Sequence, residues 1–299
     1  MSPSAEAERN DGGDSPVFVR GLSRSGGTLV VTMLDAHPNV SMSYELYPNL
    51  LEDMPEDREL VALARTLSAT STLPTDLPDG PRRFLVRTSR GGLTLAEVAT
   101  LIESQIDDGM GFSSTRDRVA FLQRCGVAKM AKEGKQRWGA KCNSRYADYT
   151  DSLPSARFIN VVRDGRDVLA SQQNTGGFAG DAAKLARSWL NTHRKFRQWV
   201  KAERIVGLEV SYEELVQHPA AMARTICSFL GEDFDPSMLQ FHQMDLSIFG
   251  ASHLSMDRIS KPVDTSKIGR WRRELSSKDV AQFEAIAGAG LTEFGYELS

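Results

Sequence analysis

A glycine- and serine-rich loop, set between an apolar run and a helical pattern, limits what this chain can fold into more than any other feature. Val17-Phe-Val-Arg20 is short and β-prone. Gly21-Leu-Ser-Arg-Ser-Gly-Gly-Thr28 follows, and Leu29, Val30, Met33 and Leu34 then recur at helical spacing. His37-Pro38 closes that helix, because a proline disfavours helix at the residue before it. Strand, tight loop and helix in this order direct backbone N–H groups and the positive end of a helix at one point, which suits an anion. Gly21-x4-Gly26-Gly27-Thr28 departs from the phosphate-loop pattern GxxxxGK followed by Ser or Thr at Gly27, where lysine is expected. A kinase or nucleoside triphosphatase needs that lysine on its terminal phosphates, so its loss weighs against both. Arg24 places a cation elsewhere in the loop.

The rest of the chain supplies partners for such a strand. Arg157-Phe-Ile-Asn-Val-Val-Arg163 is the clearest buried strand, short and β-branched, with Asp164-Gly165 as a turn behind it. Trp138-Gly-Ala-Lys141 reads as a strand end and residues 205–210 as a further strand. Helices are expected over 94–106 from the capping box Thr94-Leu-Ala-Glu97, over 116–132, 166–173, 182–202 and 276–294, and after Ser211 and Pro219. Strands alternating with helices argue for an α/β fold: a central parallel sheet with helices on both faces, in three layers. Residues 41–51 are mixed. Residues 52–83 are polar, are interrupted by Pro55, Pro74, Pro78 and Pro81, and read as an irregular cover over a site.

Arg163 stands at the end of its strand, and Ser171 lies about two turns into the helix that follows. Strand ends at the carboxyl edge of a parallel sheet are where such folds bind ligands. A guanidinium fork and a hydroxyl there suit a phosphate. The same residues also read as surface pairs, Arg163–Asp164 or Arg166–Asp167. Two anion sites on neighbouring strands imply a ligand with two separated phosphates.

A net charge of −3 gives no global basic field, so nucleic acid is not an expected partner. No run reaches the length of a membrane span, so stable membrane insertion is not expected. Residues 1–15 lack an apolar core and read as a disordered leader. Cys125, Cys142 and Cys227 form no CxxC, which fits a reducing cytoplasm. The five histidines show no metal-binding spacing, so no metal is expected. A homodimer is an admissible state.

Together these residues resemble a family. Arg20-Gly-Leu-Ser-Arg-Ser-Gly-Gly-Thr-Leu29 resembles the 5′-phosphosulfate loop of sulfotransferases that use 3′-phosphoadenosine 5′-phosphosulfate (PAPS). Val162-Arg163-Asp-Gly-Arg-Asp-Val-Leu-Ala-Ser171 resembles their 3′-phosphate motif. The stretch from Arg24 to Pro38 is similar to the tyrosylprotein sulfotransferases in particular. The resemblance implies that Arg24, Ser25, Gly26, Gly27, Thr28, Leu29, Arg163 and Ser171 bind the donor. It implies Tyr212 near the adenine, and a closing loop with Lys267, Arg270 and Trp271 from Ile259-Ser-Lys-Pro-Val263 and Ser266-Lys-Ile-Gly-Arg-Trp271. It assigns Glu45, shortly after His37-Pro38, as the catalytic base, and Lys141, in Trp138-Gly-Ala-Lys-Cys-Asn143, as a catalytic cation beside Arg24. Gly27 and Ser23 depart from the usual Thr or Ser and Pro.

Residues 16–299 are then one domain, with a helical acceptor-binding insertion at about 53–135, to which the resemblance does not extend. The implied reaction moves a sulfuryl group to a phenol or alcohol of a small-molecule or peptide acceptor. His253 is the reserve base, Tyr44 and Tyr47 are candidates for the acceptor pocket, and Arg82, Arg83, Arg87 and Arg90 lie in the acceptor region. The alternatives are a small-molecule kinase, with 158–162 as its metal-binding strand, and a nucleotide-binding scaffold without chemistry.

Overall fold

Five strands pair in parallel in a computed structural model of the chain, which describes residues 15–142, 145–175, 181–246, 249 and 255–299. They are β1 (Val17–Gly21), β2 (Val40–Ser43), β3 (Arg137–Lys141), β4 (Arg157–Val162) and β5 (Val206–Ser211), in the order β2-β3-β1-β4-β5. Register brings the carboxyl ends level: Val19 lies opposite Lys141, Gly21 opposite Val161, and Val162 opposite Ser211. A parallel sheet covered on both faces needs apolar residues on both, and β1 has them. Val17 and Val19 face a core built with Val30 and Leu34 of α1 (Gly27–Asp35), Leu215 of α9 (Tyr212–Gln217) and Ile226 of α10 (Pro219–Leu230). Phe18 faces the other way, with Val119 of α5 (Thr115–Lys132), Tyr149 of α6 (Ala147–Thr150) and Phe196 of α8 (Ala182–Lys201). The expected three-layer α/β architecture is present.

The segment between β2 and β3 is more regular than the sequence suggests. It holds α2 (Asp57–Ala69), α3 (Asp79–Arg90) and α4 (Leu95–Asp107) before α5. The prolines do not break these helices. Pro55 and Pro74 lie outside α2, while Pro78 is the N-cap of α3 and Pro81 sits in its first turn, where a missing N–H costs nothing. Leu60, Leu63 and Leu67 form the buried stripe of α2 and join Phe84, Val98, Ile102 and Phe121 in a separate core. The capping box of α4 is formed, with Thr94 N–H donating to Glu97 Oε2 at 2.6 Å and Glu97 N–H to Thr94 Oγ1 at 3.2 Å.

β2 is a strand that the polar sequence Val-Ser-Met-Ser conceals; Ser41 and Ser43 are buried in it. The leader ends one residue earlier than expected, because Ser15 is buried and its hydroxyl donates to the Ser155 carbonyl at 2.7 Å. Residues 1–14, the remainder of that leader, lie outside the described residues. After β4 come α7 (Gly165–Gln173) and α8; α11 (Met256–Ile259), α12 (Trp271–Glu274) and α13 (Ser277–Glu293) follow α10.

Candidate active site

The carboxyl ends of β1, β3 and β4 open into one cavity of about 450 Å3. Its floor is the loop after β1. Two residues there take left-handed backbone, Arg24 at φ 75° and Gly26 at φ 99°. Glycine is required at 26 for a further reason: a Cβ would stand 2.5 Å from the Tyr212 ring. The Ser25 N–H closes the turn onto the Leu22 carbonyl at 3.0 Å, and the first α1 bond runs from Val30 N–H to the Gly26 carbonyl. The N–H groups of Gly27, Thr28 and Leu29 therefore precede the helical ladder and have no partner within it. All three residues line the cavity.

One end of the cavity gathers the cations Arg24, Arg163 and Arg270. Arg163, directly after β4, donates to the Arg24 carbonyl at 3.1 Å and the Lys267 carbonyl at 2.6 Å, and stacks over the Tyr212 ring at 4.4 Å. Arg24 Nε donates to Ser171 Oγ at 3.1 Å. Burial, then the nearby charges of Arg163 and Arg270, lower the Arg24 pKa. Cations crowded in this way are relieved by a bound anion. Arg163 Nε, buried here, has no hydrogen-bond partner. The pairings differ from both surface pairs considered from sequence. Arg163 lies 3.6 Å from Asp167, and Arg166 pairs with Asp164 at 2.8 Å, all with little exposure. Asp167 accepts from the Gly269 and Trp271 N–H groups, each at 2.9 Å, and so fastens the closing loop.

The other end carries the candidate chemistry. Lys141 Nζ donates to Glu45 Oε1 at 3.1 Å and reaches Tyr44 OH at 3.3 Å and Thr28 Oγ1 at 3.4 Å. Arg87 of α3 donates to Glu45 Oε2 at 3.0 Å and to the Glu45 carbonyl at 2.7 Å. Burial opposes the charge on Glu45, yet Lys141, Arg87 and the Tyr44 hydroxyl outweigh it and hold the carboxyl below the usual carboxylate range. Burial pushes the Tyr44 phenol up, so it keeps its proton. Gly27 lies beside Lys141: a Cβ there would meet Lys141 Cε at 3.7 Å, an ordinary contact.

Of the residues picked from sequence, Arg24, Gly26, Gly27, Thr28, Leu29, Glu45, Lys141, Arg163, Ser171, Tyr212, Lys267 and Arg270 all line this cavity. Ser25 and Trp271 do not. Ser25 is turned into the protein, and the Trp271 ring packs against the guanidiniums of Arg166, 3.9 Å away, and Arg272, 4.4 Å away. Trp271 thus anchors the closing loop from behind. Tyr44 lines the cavity while Tyr47 lies against Arg87, 5.7 Å from its guanidinium. His253 lies outside the described residues. Among the described histidines, His37 bonds the Asp233 carbonyl and His193 bonds Asn160, away from the cavity. Arg87 and Asp167 were missed as site residues, since nothing in sequence sets one arginine apart from its neighbours or shows that an aspartate is buried. Among the described residues no group of three or more His, Cys, Asp or Glu side chains could hold a metal ion, and no helix is long and apolar enough to cross a membrane.

A profile described as the Sulfotransferase family matches residues 16–236. The chain is similar to Protein-tyrosine sulfotransferase A of Caenorhabditis elegans, 26% identical over 294 residues that cover 94% of this chain and 67% of that protein. It is similar also to Protein-tyrosine sulfotransferase 1 of Homo sapiens, 25% identical over 305 residues, 94% of this chain and 69% of that one. In fold it matches the sulfotransferase domain of the Synechococcus PCC 7002 olefin synthase, with a TM-score of 0.59 at 21% identity, over 95% of this chain and 96% of that domain.

Proposed function

The chain belongs to the sulfotransferase family, and from that premise we propose that it takes the sulfuryl group from PAPS, with Glu45, Lys141 and Arg24 as its catalytic residues. Sulfuryl transfer to a hydroxyl acceptor is the family's reaction, and the enzyme is a transferase. The observation that carries the finer reading is the contact of Glu45 with Lys141 at 3.1 Å, in the same cavity as the clustered arginines Arg24, Arg163 and Arg270. A base held ionised and a cation at one end, with an anion site at the other, is what in-line transfer to an oxygen nucleophile requires.

The unpaired Arg163 Nε, the repulsion within the arginine cluster and the N–H groups at the start of α1 fit a donor with two phosphate groups. Arg24 and residues 26–29 would hold the 5′ side, Arg163 and Ser171 the 3′-phosphate, and Tyr212, Lys267 and Arg270 the nucleoside end. PAPS supplies an activated sulfuryl group on a phosphate leaving group. Glu45 removes the acceptor's hydroxyl proton. Lys141 and Arg24 stabilise the negative charge that develops as the S–O bond breaks. The acceptor is a phenol or alcohol on a small molecule or peptide, bound against the α2–α5 segment. Cys125, Cys142 and Cys227 are unpaired and buried, which supports a reducing, cytoplasmic setting.

The test is incubation with PAPS and a panel of phenols, alcohols and tyrosyl peptides, read by mass for the gain of SO3. Sulfated product in the presence of a chelator is expected. Phosphorylated product from ATP, or no product across the whole panel, would count against the reading.

A further inference from the structure

We propose that Arg87 is a positioning residue for the base: by gripping both the side chain and the main chain of Glu45, it makes the segment between β2 and β3 part of the catalytic apparatus as well as a wall of the acceptor site. The inference deepens the reading of Glu45 as base and rests on it.

The grip has two prongs. Arg87 Nη1 donates to the Glu45 carbonyl at 2.7 Å and Nη2 to Glu45 Oε2 at 3.0 Å. Lys141 holds the other carboxylate oxygen, Oε1, at 3.1 Å. Each oxygen is therefore fixed by a cation, one from α3 and one from β3, and the Tyr44 hydroxyl adds a further hydrogen bond to the carboxyl. A planar guanidinium can bridge a carboxylate and a carbonyl at fixed separation, whereas an ammonium acts as a point charge.

Glu45 needs such a grip. Its backbone has φ 53°, a left-handed conformation that non-glycine residues adopt only under constraint from their surroundings. The bond from Arg87 to Glu45's own carbonyl supplies that constraint at the strained residue. α3 is in turn fixed to the chain just beyond Glu45, because Gly80 packs so closely on the Leu50 carbonyl that a Cβ would stand 2.8 Å from it. The Arg87 side chain is about four-fifths buried, with its guanidinium 5.7 Å from the Tyr47 ring.

The groups that face the Glu45 carboxyl are Lys141 from β3, Arg87 from α3 and the neighbouring Tyr44 hydroxyl; Arg24 and Arg90 line the same cavity. Burial raises the carboxyl pKa and the cations lower it. Removing one cation shifts that balance toward the protonated acid, and the loss of the carbonyl prong frees the backbone at the same time.

The experiment uses Arg87→Met, which keeps the apolar stem, and Arg87→Lys, which keeps the charge without the fork. The Glu45 carboxyl is titrated by carbon NMR, its signal assigned by its loss in Glu45→Gln, and kcat is measured against pH. Binding of 3′-phosphoadenosine 5′-phosphate is measured by calorimetry. In Arg87→Met the carboxyl midpoint and the acid limb of kcat should both rise by about one pH unit or more. The plateau kcat should fall on the order of 10²-fold, as expected for a misplaced catalytic group, with nucleotide affinity unchanged. Arg87→Lys should restore the midpoint but not kcat. A midpoint and kcat like those of the wild type in Arg87→Met would overturn the proposal. If that variant does not fold, full activity in Arg87→Lys overturns it equally. Normal turnover by Glu45→Gln would instead count against the base itself, so the two failures are distinct.

Discussion

Gly27 and Lys141 lie side by side: a Cβ on Gly27 would meet Lys141 Cε at 3.7 Å, an ordinary contact, so the loop position that lacks an ammonium has one beside it at the end of β3. Lys141→Ala should therefore lower kcat by roughly 10²–10³, the cost of one preorganised donor, with little change in the donor KM. Gly27→Ala should be tolerated, since that distance is ordinary contact, and should gain about 0.4–1 kcal/mol from a less flexible unfolded chain. Steady-state kinetics and thermal melts check both. Unchanged kcat with a raised KM in Lys141→Ala would show that this lysine only binds substrate.

Glu45→Gln keeps the size of the side chain but cannot accept a proton. It should reduce kcat on the order of 10²–10⁴ with an ordinary alcohol or high-pKa phenol. A phenol already ionised at the assay pH should be partly spared, because no proton remains to be removed. Equal losses with both acceptors would argue that Glu45 does something other than proton removal.

Arg163 ties the loop after β1 to the closing loop through the carbonyls of Arg24 and Lys267. Arg163→Ala should weaken donor binding by roughly 2–4 kcal/mol, as expected when a buried charged hydrogen-bonding group is lost. The wild type should prefer PAPS to adenosine 5′-phosphosulfate, which lacks the 3′-phosphate. Equal affinity for the two, measured by calorimetry, would exclude a 3′-phosphate contact by Arg163 and Ser171.

Acid should destabilise the fold through His193. This ring is fully buried against Asn160, and burial, followed by the charges of Arg197 and Arg20, lowers its pKa from 6.5 to about 3. Below pH 6.5 the unfolded chain binds a proton that the folded chain refuses until about pH 3. The stability present above pH 6.5 is thus lost as pH falls through that window, by about 1.4 kcal/mol per unit. Urea melts of His193→Gln, which still offers Asn160 a partner, should show a shallower acid slope. An identical slope would assign the acid sensitivity to other groups.

Much of this was legible in the sequence because the donor end is written in short contiguous signals. Gly21 to Thr28 had to be a strand-to-helix loop, and Arg163 and Ser171 fell at a strand end and two turns into a helix, where they are found. Strand ends are visible because apolar runs stop there. What the sequence hid depends on contacts between distant segments. Ser41 and Ser43 made β2 look polar, although buried Ser41 is bonded by Lys129 Nζ at 3.2 Å. Pro78 and Pro81 looked like breakers because a proline at a helix start cannot be told from one in a loop without the helix. Arg87 had no mark of its own among the neighbouring arginines. Its contact with Glu45 appears only once α3 folds against the chain that follows β2.

The order in which ribosomes deliver these pieces follows from the knot around Arg163 and Asp167. A nascent chain that has emerged as far as α10 contains the residues of all five strands, with Glu45, Lys141 and Arg163. The Lys267 carbonyl and the Gly269 and Trp271 amides that engage Arg163 and Asp167 do not yet exist. Until they do, Arg163 has the Arg24 carbonyl and the Tyr212 ring, Asp167 has Arg163, and the closing loop has no tie to either. On the proposed reading of the site, a product terminated before residue 267 should carry Glu45 and Lys141 and yet bind the donor weakly, because the loop that ties down Arg163 and Asp167 is missing.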